Sequence, residues 1–159
     1  MTEKTRSNKI KGTGNSMKGK IDLLNKLAEK FDLDIIYAFG SHARDVLNCL
    51  KNEDTEIILS PLSDVDIGVK YHVGNDPDIK QKILLSTELE NLFNVGRVDL
   101  VIISEADPFV AVNIIRGERI YCRDKYTADE YDLYILRRAG DLIPLERERI
   151  SLIMEGKGL

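Results

Sequence analysis

The stretch Ser60–Tyr71 reads SPLSDVDIGVKY. From Val65 to Tyr71 its pattern predicts a strand, because Val65, Ile67 and Val69 alternate and share one face. The opposite face then begins with Asp64 and Asp66 and continues with Gly68. Asp is among the poorest strand formers. Two carboxylates side by side on one face also repel, so a sheet that starts this way gives up stability at that corner.

The flanking sequence builds an alternating architecture around this strand. Upstream, Ile21, Leu24, Leu27, Ala28 and Phe31 recur at helical spacing and predict a helix over about Met17 to Phe31. DIIYAF, Asp34–Phe39, reads as a short buried strand that ends in Gly40-Ser41, and HARDVLNCL reads as a short helix after it. Lys51–Leu62 reads as a loop with a short strand expected at Glu56–Leu59. Downstream, Asp76 fits an N-cap and Pro77 a first turn, for a helix that runs to Phe93. Arg97–Ile103 is the next expected strand, with Val98, Leu100 and Ile102 on one face and Arg97, Asp99, Val101 and Ile103 on the other. Asp107-Pro108 repeats the helix start, Gly117 suits the stop, and ERIYC reads as a short edge strand. Thr127 and Glu130 have the spacing of a capping box, for a helix to about Arg138. Gly140 is expected to break that helix and Pro144 to open a last one through Met154. Helices and strands therefore alternate around a small sheet, in an α/β or α+β domain.

Composition bounds the rest. The chain has 159 residues, 43% hydrophobic and 31% charged, which suits one soluble globular domain with a sizeable core. A net charge of −4 gives no global attraction to nucleic acid or to an anionic membrane. No apolar run is long enough to span a bilayer, and the N-terminus lacks the hydrophobic core of a secretory signal, so a cytoplasmic location is expected. Residues 1–16, MTEKTRSNKIKGTGNS, are polar and basic and read as a disordered tail. The domain proper is expected over 17–140, with 141–159 as a C-terminal helical extension. Cys49 and Cys122 lie far apart, form no metal-ligand spacing and read as reduced thiols packed as small hydrophobes. His42 and His72 read as polar surface or capping residues, and Tyr131 and Tyr134 as helix residues in core or interface packing.

If the two acid-bearing strands are neighbours, Asp64, Asp66 and Asp99 can converge on one spot. A divalent cation would reverse their repulsion, and hard oxygen ligands on a rigid edge suit Mg²⁺. Taken alone, Asp-x-Asp also suits a turn or a solvated edge. Gly40-Ser41 lies where a strand meets a helix, a place where backbone approaches phosphate. Taken alone, it also suits a tight turn with a serine N-cap.

Together, FGSHAR (Phe39–Arg44), SDVDIGV (Ser63–Val69) and RVDLV (Arg97–Val101) resemble the minimal nucleotidyltransferases of the DNA polymerase β-like superfamily. The resemblance covers about Ile21 to Arg123. It implies a nucleotidyltransferase fold with a small mixed sheet flanked by helices. It implies that Gly40 and Ser41 hold the phosphates of a nucleoside triphosphate, that Arg44 adds charge to them, and that Asp64 and Asp66 bind Mg²⁺. Asp99 would complete a second metal site and help deprotonate the attacking hydroxyl, so two Mg²⁺ ions and ATP as substrate are implied. Minimal members often act as antitoxins beside a small helical partner, and some transfer AMP from ATP to a tyrosine of that toxin.

The chain departs from the family pattern in two places. The spacer from Ser41 to Asp64 is about twice the usual length, with the extra residues in Val46–Leu62, and Asp45 stands where a glycine often follows the arginine. The insertion is a candidate lid or partner contact. The C-terminus, DLIPLERERISLIMEG, sets Leu145, Ile150, Ile153 and Met154 beside an alternating Glu-Arg run, which fits a docking helix or one packed on its own domain. Two other functions stay open: a binding module that keeps the fold and neutralises its partner sterically, and a small-molecule nucleotidyltransferase that works with a second subunit. Homo-oligomerisation stays open as well.

Overall fold

The computed structural model describes residues 19–156, so the N-terminal tail and the first residues of the expected first helix lie outside the described region. Nine elements follow in chain order: α1 (Lys20–Lys30), β1 (Leu33–Phe39), α2 (Ala43–Lys51), β2 (Val65–Tyr71), α3 (Ile79–Phe93), β3 (Val98–Ile102), α4 (Pro108–Ile115), β4 (Glu118–Cys122) and α5 (Lys125–Met154). The strands form one sheet in the order β3-β2-β1-β4. β1 is antiparallel to both β2 and β4, whereas β2 and β3 are parallel. The sheet is therefore mixed, as expected.

Strand alternation sorts the core into two layers. Val65, Ile67, Val69 and Tyr71 of β2 face one layer with Leu24 and Leu27 of α1, Val46 and Leu50 of α2, and Leu85, Leu89 and Phe93 of α3. Ile35 and Tyr37 of β1 face the other, with Ala111, Val112 and Ile114 of α4 and Ala128, Ile135 and Ala139 of α5. Gly68 explains how α4 reaches the sheet. A β-carbon there would lie 2.4 Å from Ile114 Cγ2, so a glycine in mid-strand lets the helix come close.

Four local expectations are corrected. α3 is capped by Asp78, not Asp76: its carboxylate accepts from the Gln81 N–H, and the Gln81 side chain accepts from the Asp78 N–H in a capping box. Two acids two residues apart compete for the cap, and the side chain with a reciprocating Gln at the third helical position wins. At α5 the cap is Asp124, whose carboxylate accepts from the Thr127 N–H at 2.9 Å, rather than Thr127 itself. α5 then runs unbroken through Gly140 and Pro144. Pro144 lacks the N–H that would bond the carbonyl four residues back, and that residue is Gly140, so both breakers fall on one missing bond. Gly140 is exposed, which leaves its carbonyl to water. Finally, Glu56–Leu59 forms no strand. Its alternation reflects sided burial: Ile57 is buried and Leu59 packs on the core, while Ile58 is exposed. β1 and β2 already have a neighbour on each side, so their ladders offer this segment no place.

Cys49 is buried and Cys122 half-buried, both unpaired. Among the described residues no helix is long and apolar enough to cross a membrane.

Candidate active site

β2 and β3 lie side by side with Asp66 directly opposite Asp99 in the parallel register. Their side chains therefore leave the sheet on the same face, and Asp64, two residues before Asp66, shares it. β1 brings the third component. Its last residue, Phe39, is the register partner of Asp66, so the chain leaves β1 at the same corner and turns through Gly40–His42 into α2. Gly40 has φ +73°, a left-handed conformation that favours glycine. A β-carbon at Gly40 would lie 2.3 Å from Asp66 Oδ2, so this turn is pressed onto the carboxylate.

The electrostatics match the crowding. Burial pushes the half-buried Asp66 carboxyl above its ordinary value, and the charges of Asp99 and Asp64 push it further, against a smaller opposing pull from His42. Asp64 takes a different partner, with its Oδ2 lying 3.6 Å from Arg97 Nε. Among the described residues no three His, Cys, Asp or Glu side chains close on a point that would hold a metal ion. The structure thus sets Asp66 beside Asp99 and turns Asp64 toward Arg97. Three unneutralised carboxylates have reason to splay in this way. As a donor set, carboxylate oxygens at the starts of two adjacent strands are of the kind that suits a hard divalent cation, and Asp64 would have to leave Arg97 to join such a set.

Ser41 and Arg44 are both exposed and, with Gly40, line an open cleft of about 460 Å³. The other wall comes from Asn113 and Arg116 at the end of α4, with Gly117 and Glu118 after them. Sequence reasoning did not single out Asn113 or Arg116. The one signal near them was Gly117, read as a helix stop.

His42 hydrogen-bonds Asp45 through Nδ1 at 3.0 Å, beside the site. His72 is not part of it. It meets Asp34 at 2.9 Å near the far end of β2, where Lys70 also binds Asp34 at 2.9 Å and lies 5.1 Å from the centre of the Tyr131 ring. A second cavity of about 370 Å³ opens there, lined by Lys70, Tyr131, Tyr134 and Arg138 among others. None of the three acids lines it. Lys70 is four residues from Asp66, ~13 Å along a strand.

A four-stranded mixed sheet with helices on both faces, two facing strand-borne carboxylates and a Gly-Ser turn at their corner define a nucleotidyltransferase fold. The chain belongs to the polymerase β nucleotidyltransferase family, whose model matches residues 22–126. Solved structures of similar fold include a toxin–antitoxin with AMP-PNP, at TM-score 0.63 and 18% identity, covering 84% of this chain and 98% of that one. A mutant of the toxin–antitoxin MntA–HpeT matches at TM-score 0.62 and 17% identity, covering 84% of this chain and 98% of that one. So does a tri-AMPylated HEPN toxin of Shewanella oneidensis in complex with MNT antitoxin, at TM-score 0.60 and 17% identity, covering 85% and 96%. At this identity the likeness is one of fold. No curated protein sequence matches the chain significantly.

Proposed function

We propose that this chain is a Mg²⁺-dependent nucleotidyltransferase that moves AMP from ATP to a hydroxyl of a partner protein. The acceptor in this reading is a tyrosine of a small helical toxin, and the chain is the antitoxin of the pair. The observation that carries the proposal is the register of Asp66 opposite Asp99, with Gly40 packed on the Asp66 carboxylate. Membership of the family supports the reaction class. The solved relatives include an AMP-PNP complex and an AMPylated HEPN toxin bound to its MNT antitoxin, which supports both the nucleotide and the acceptor. A cytoplasmic location belongs to the same reading.

The residues divide the work by position. Asp64, Asp66 and Asp99 would hold the metal ions, which when bound supply a positive field for the entering and leaving oxygens. Gly40 and Ser41 offer backbone and hydroxyl donors to the phosphates at the start of α2, and Arg44 stands one turn further on. The acceptor oxygen forms a bond to the α-phosphorus as the bond to the β-phosphate oxygen breaks, and pyrophosphate leaves. Asp99, the exposed carboxylate of the facing pair, takes the acceptor proton.

The partner surface is the exposed end of α5. Ile150, Leu152, Ile153 and Met154 are all exposed there, beyond the part of the helix that packs on the sheet. The test is a titration of ATP into the protein with Mg²⁺ and with EDTA. Binding that EDTA abolishes is expected, since the acids alone would repel a triphosphate. Equal affinity in both buffers would contradict the metal site.

A second reading is favoured by one observation, the Asp64–Arg97 contact beside an unusually long loop. In that reading the fold binds and masks its partner without chemistry.

A further inference from the structure

The end of α4 is locked to the end of β1 by a glycine. Ala38 pairs with Glu118 in the antiparallel β1–β4 ladder, so the residues just beyond this pair pass one another. On one chain these are Phe39 and Gly40, and on the other Gly117 and Arg116. A β-carbon at Gly117 would lie 2.3 Å from the Ala38 carbonyl oxygen and 2.9 Å from Phe39 Cα. Both are backbone atoms that have no room to yield, so the close approach requires glycine. Its consequence is positional: Arg116, the C-cap of α4, faces the turn that carries Gly40 and Ser41.

The two walls of the resulting cleft are charged alike. Arg44 stands on the α2 side and Arg116 on the α4 side, with Asn113 one turn behind Arg116. Neither guanidinium takes an ion pair among the described residues, whereas Arg97, Arg119, Arg123 and Arg149 each do. Glu118 is the one acid that lines the cleft, so two arginines less one glutamate leave it a net charge of +1. Arg116 also offsets the negative carbonyl end of α4, which would otherwise face the same space. Two guanidiniums without ion pairs on opposite walls of an open groove, against one carboxylate, leave donors free for a bridging anion.

The position of the cleft says which anion. Gly40, which lies against the Asp66 carboxylate, lines it together with Ser41 and the two arginines, and none of Asp64, Asp66 and Asp99 does, so the cleft borders the acids without containing them. Resting on the nucleotidyltransferase reading above, an α-phosphate at the acids points the rest of a triphosphate into this groove. We infer that Arg116, supported by Asn113, is the second jaw of a two-arginine clamp on the β- and γ-phosphates, opposite Arg44. The clamp grips the group that leaves as pyrophosphate, so it meets the charge that develops as the α-phosphorus bond breaks. Arg116 is a binding residue whose contact exists for a triphosphate and not for a monophosphate.

The experiment is calorimetric titration of MgATP and of AMP into the full chain, wild type, Arg116→Ala and Arg116→Lys. Arg116→Ala is expected to weaken MgATP about tenfold or more, the scale of one charge-assisted bidentate contact. It should leave AMP affinity within about twofold of wild type. Arg116→Lys keeps the charge without the fork and should recover part of the loss. The side chain is exposed, so the melting temperature should not move. Arg116→Ala that binds MgATP as wild type does would overturn the clamp and leave the enzyme reading intact. Equal losses for ATP and AMP would also overturn it, since the contact would then not be to the distal phosphates. Wild type that binds no MgATP would overturn the functional reading and the clamp together.

Discussion

Gly40 and Asp66 occupy one space: no side chain fits between the backbone of the first and the carboxylate of the second. A β-carbon on Gly40 would stand 2.3 Å from Asp66 Oδ2 and 3.3 Å from its Cγ. The glycine of the Gly-Ser turn therefore does two things. It adopts φ +73° at little cost, and it leaves the carboxylate its position.

Gly40→Ala separates these roles. The left-handed backbone costs an alanine roughly 1–2 kcal/mol, a modest fall in melting temperature. The steric clash is with the end of a side chain, so Asp66 can relieve it by rotating away. That rotation removes a proposed metal ligand. Thermal melts of Gly40→Ala should show a small loss of stability, while Mg²⁺-dependent ATP binding falls far more. A variant that binds MgATP normally would show that the Asp66 position in this contact is not the one that works.

Asp66→Asn gives a prediction with a definite sign in pH. Burial and the neighbouring Asp99 and Asp64 raise the Asp66 carboxyl in the folded state above its ordinary 3.8. A raised carboxyl favours folding while protonated, and that contribution is lost as pH rises through the folded value. At neutral pH without metal, Asp66→Asn should therefore melt no lower than wild type. Its relative advantage should shrink as pH falls through the raised folded value and be gone below the ordinary 3.8, where Asp66 is neutral in both the folded and unfolded wild type. A variant that melts well below wild type at pH 7 would assign Asp66 a structural role.

Asp34 behaves in the opposite sense. Burial alone would raise it, but hydrogen bonds from Lys70 and His72 outweigh this and hold it below the usual range. Arg123 Nε lies 3.4 Å from the same carboxylate. A depressed carboxyl stabilises the fold above its unfolded value, and that contribution disappears as pH falls through the folded one. Asp34→Asn should cost roughly 1.5–3 kcal/mol at pH 7, the scale of hydrogen bonds to charged groups. Melts of wild type and variant should converge below about pH 4. Because Asp34 sits at the far end of β2 from the acids, MgATP affinity should not change in the folded variant.

Much of this corner was legible in the sequence. The span Val65–Tyr71 is β2 as expected, and the two faces assigned to it are the two faces observed. The pairing of Asp66 with Asp99 followed once the two strands were neighbours. Asp107-Pro108 also behaved as expected, with the Asp107 carboxylate accepting from the Phe109 N–H at 2.9 Å. What was not legible depends on contacts far apart in the chain. Gly117 looked like a helix stop, and only its approach to Ala38 and Phe39 shows why it must be glycine and why Arg116 faces Ser41. The unbroken α5 was hidden because each breaker was weighed alone, although Gly140 and Pro144 share one backbone bond. Competing caps, Asp76 against Asp78, turn on side-chain reach rather than on residue type.

The long connection between α2 and β2 yields another expectation. Residues 52–64 lack regular structure, with Ile57 buried and Leu62 97% exposed. Such loops are commonly functional or mobile. Amide exchange should be faster across 52–64 than in β1 and β2, and it should slow when MgATP or the partner binds. Exchange that ignores both ligands would remove the lid.

The most direct test of the central claim is transfer of label from the α-phosphate of ATP to the proposed partner, a small helical toxin. Wild type should label it, and Asp66→Asn should do so slower by orders of magnitude, because metal-held charge supplies most of the stabilisation in this reaction. Label carried by Asp66→Asn at the wild-type rate, or tight binding of the partner by wild type with no label transferred, would contradict the account.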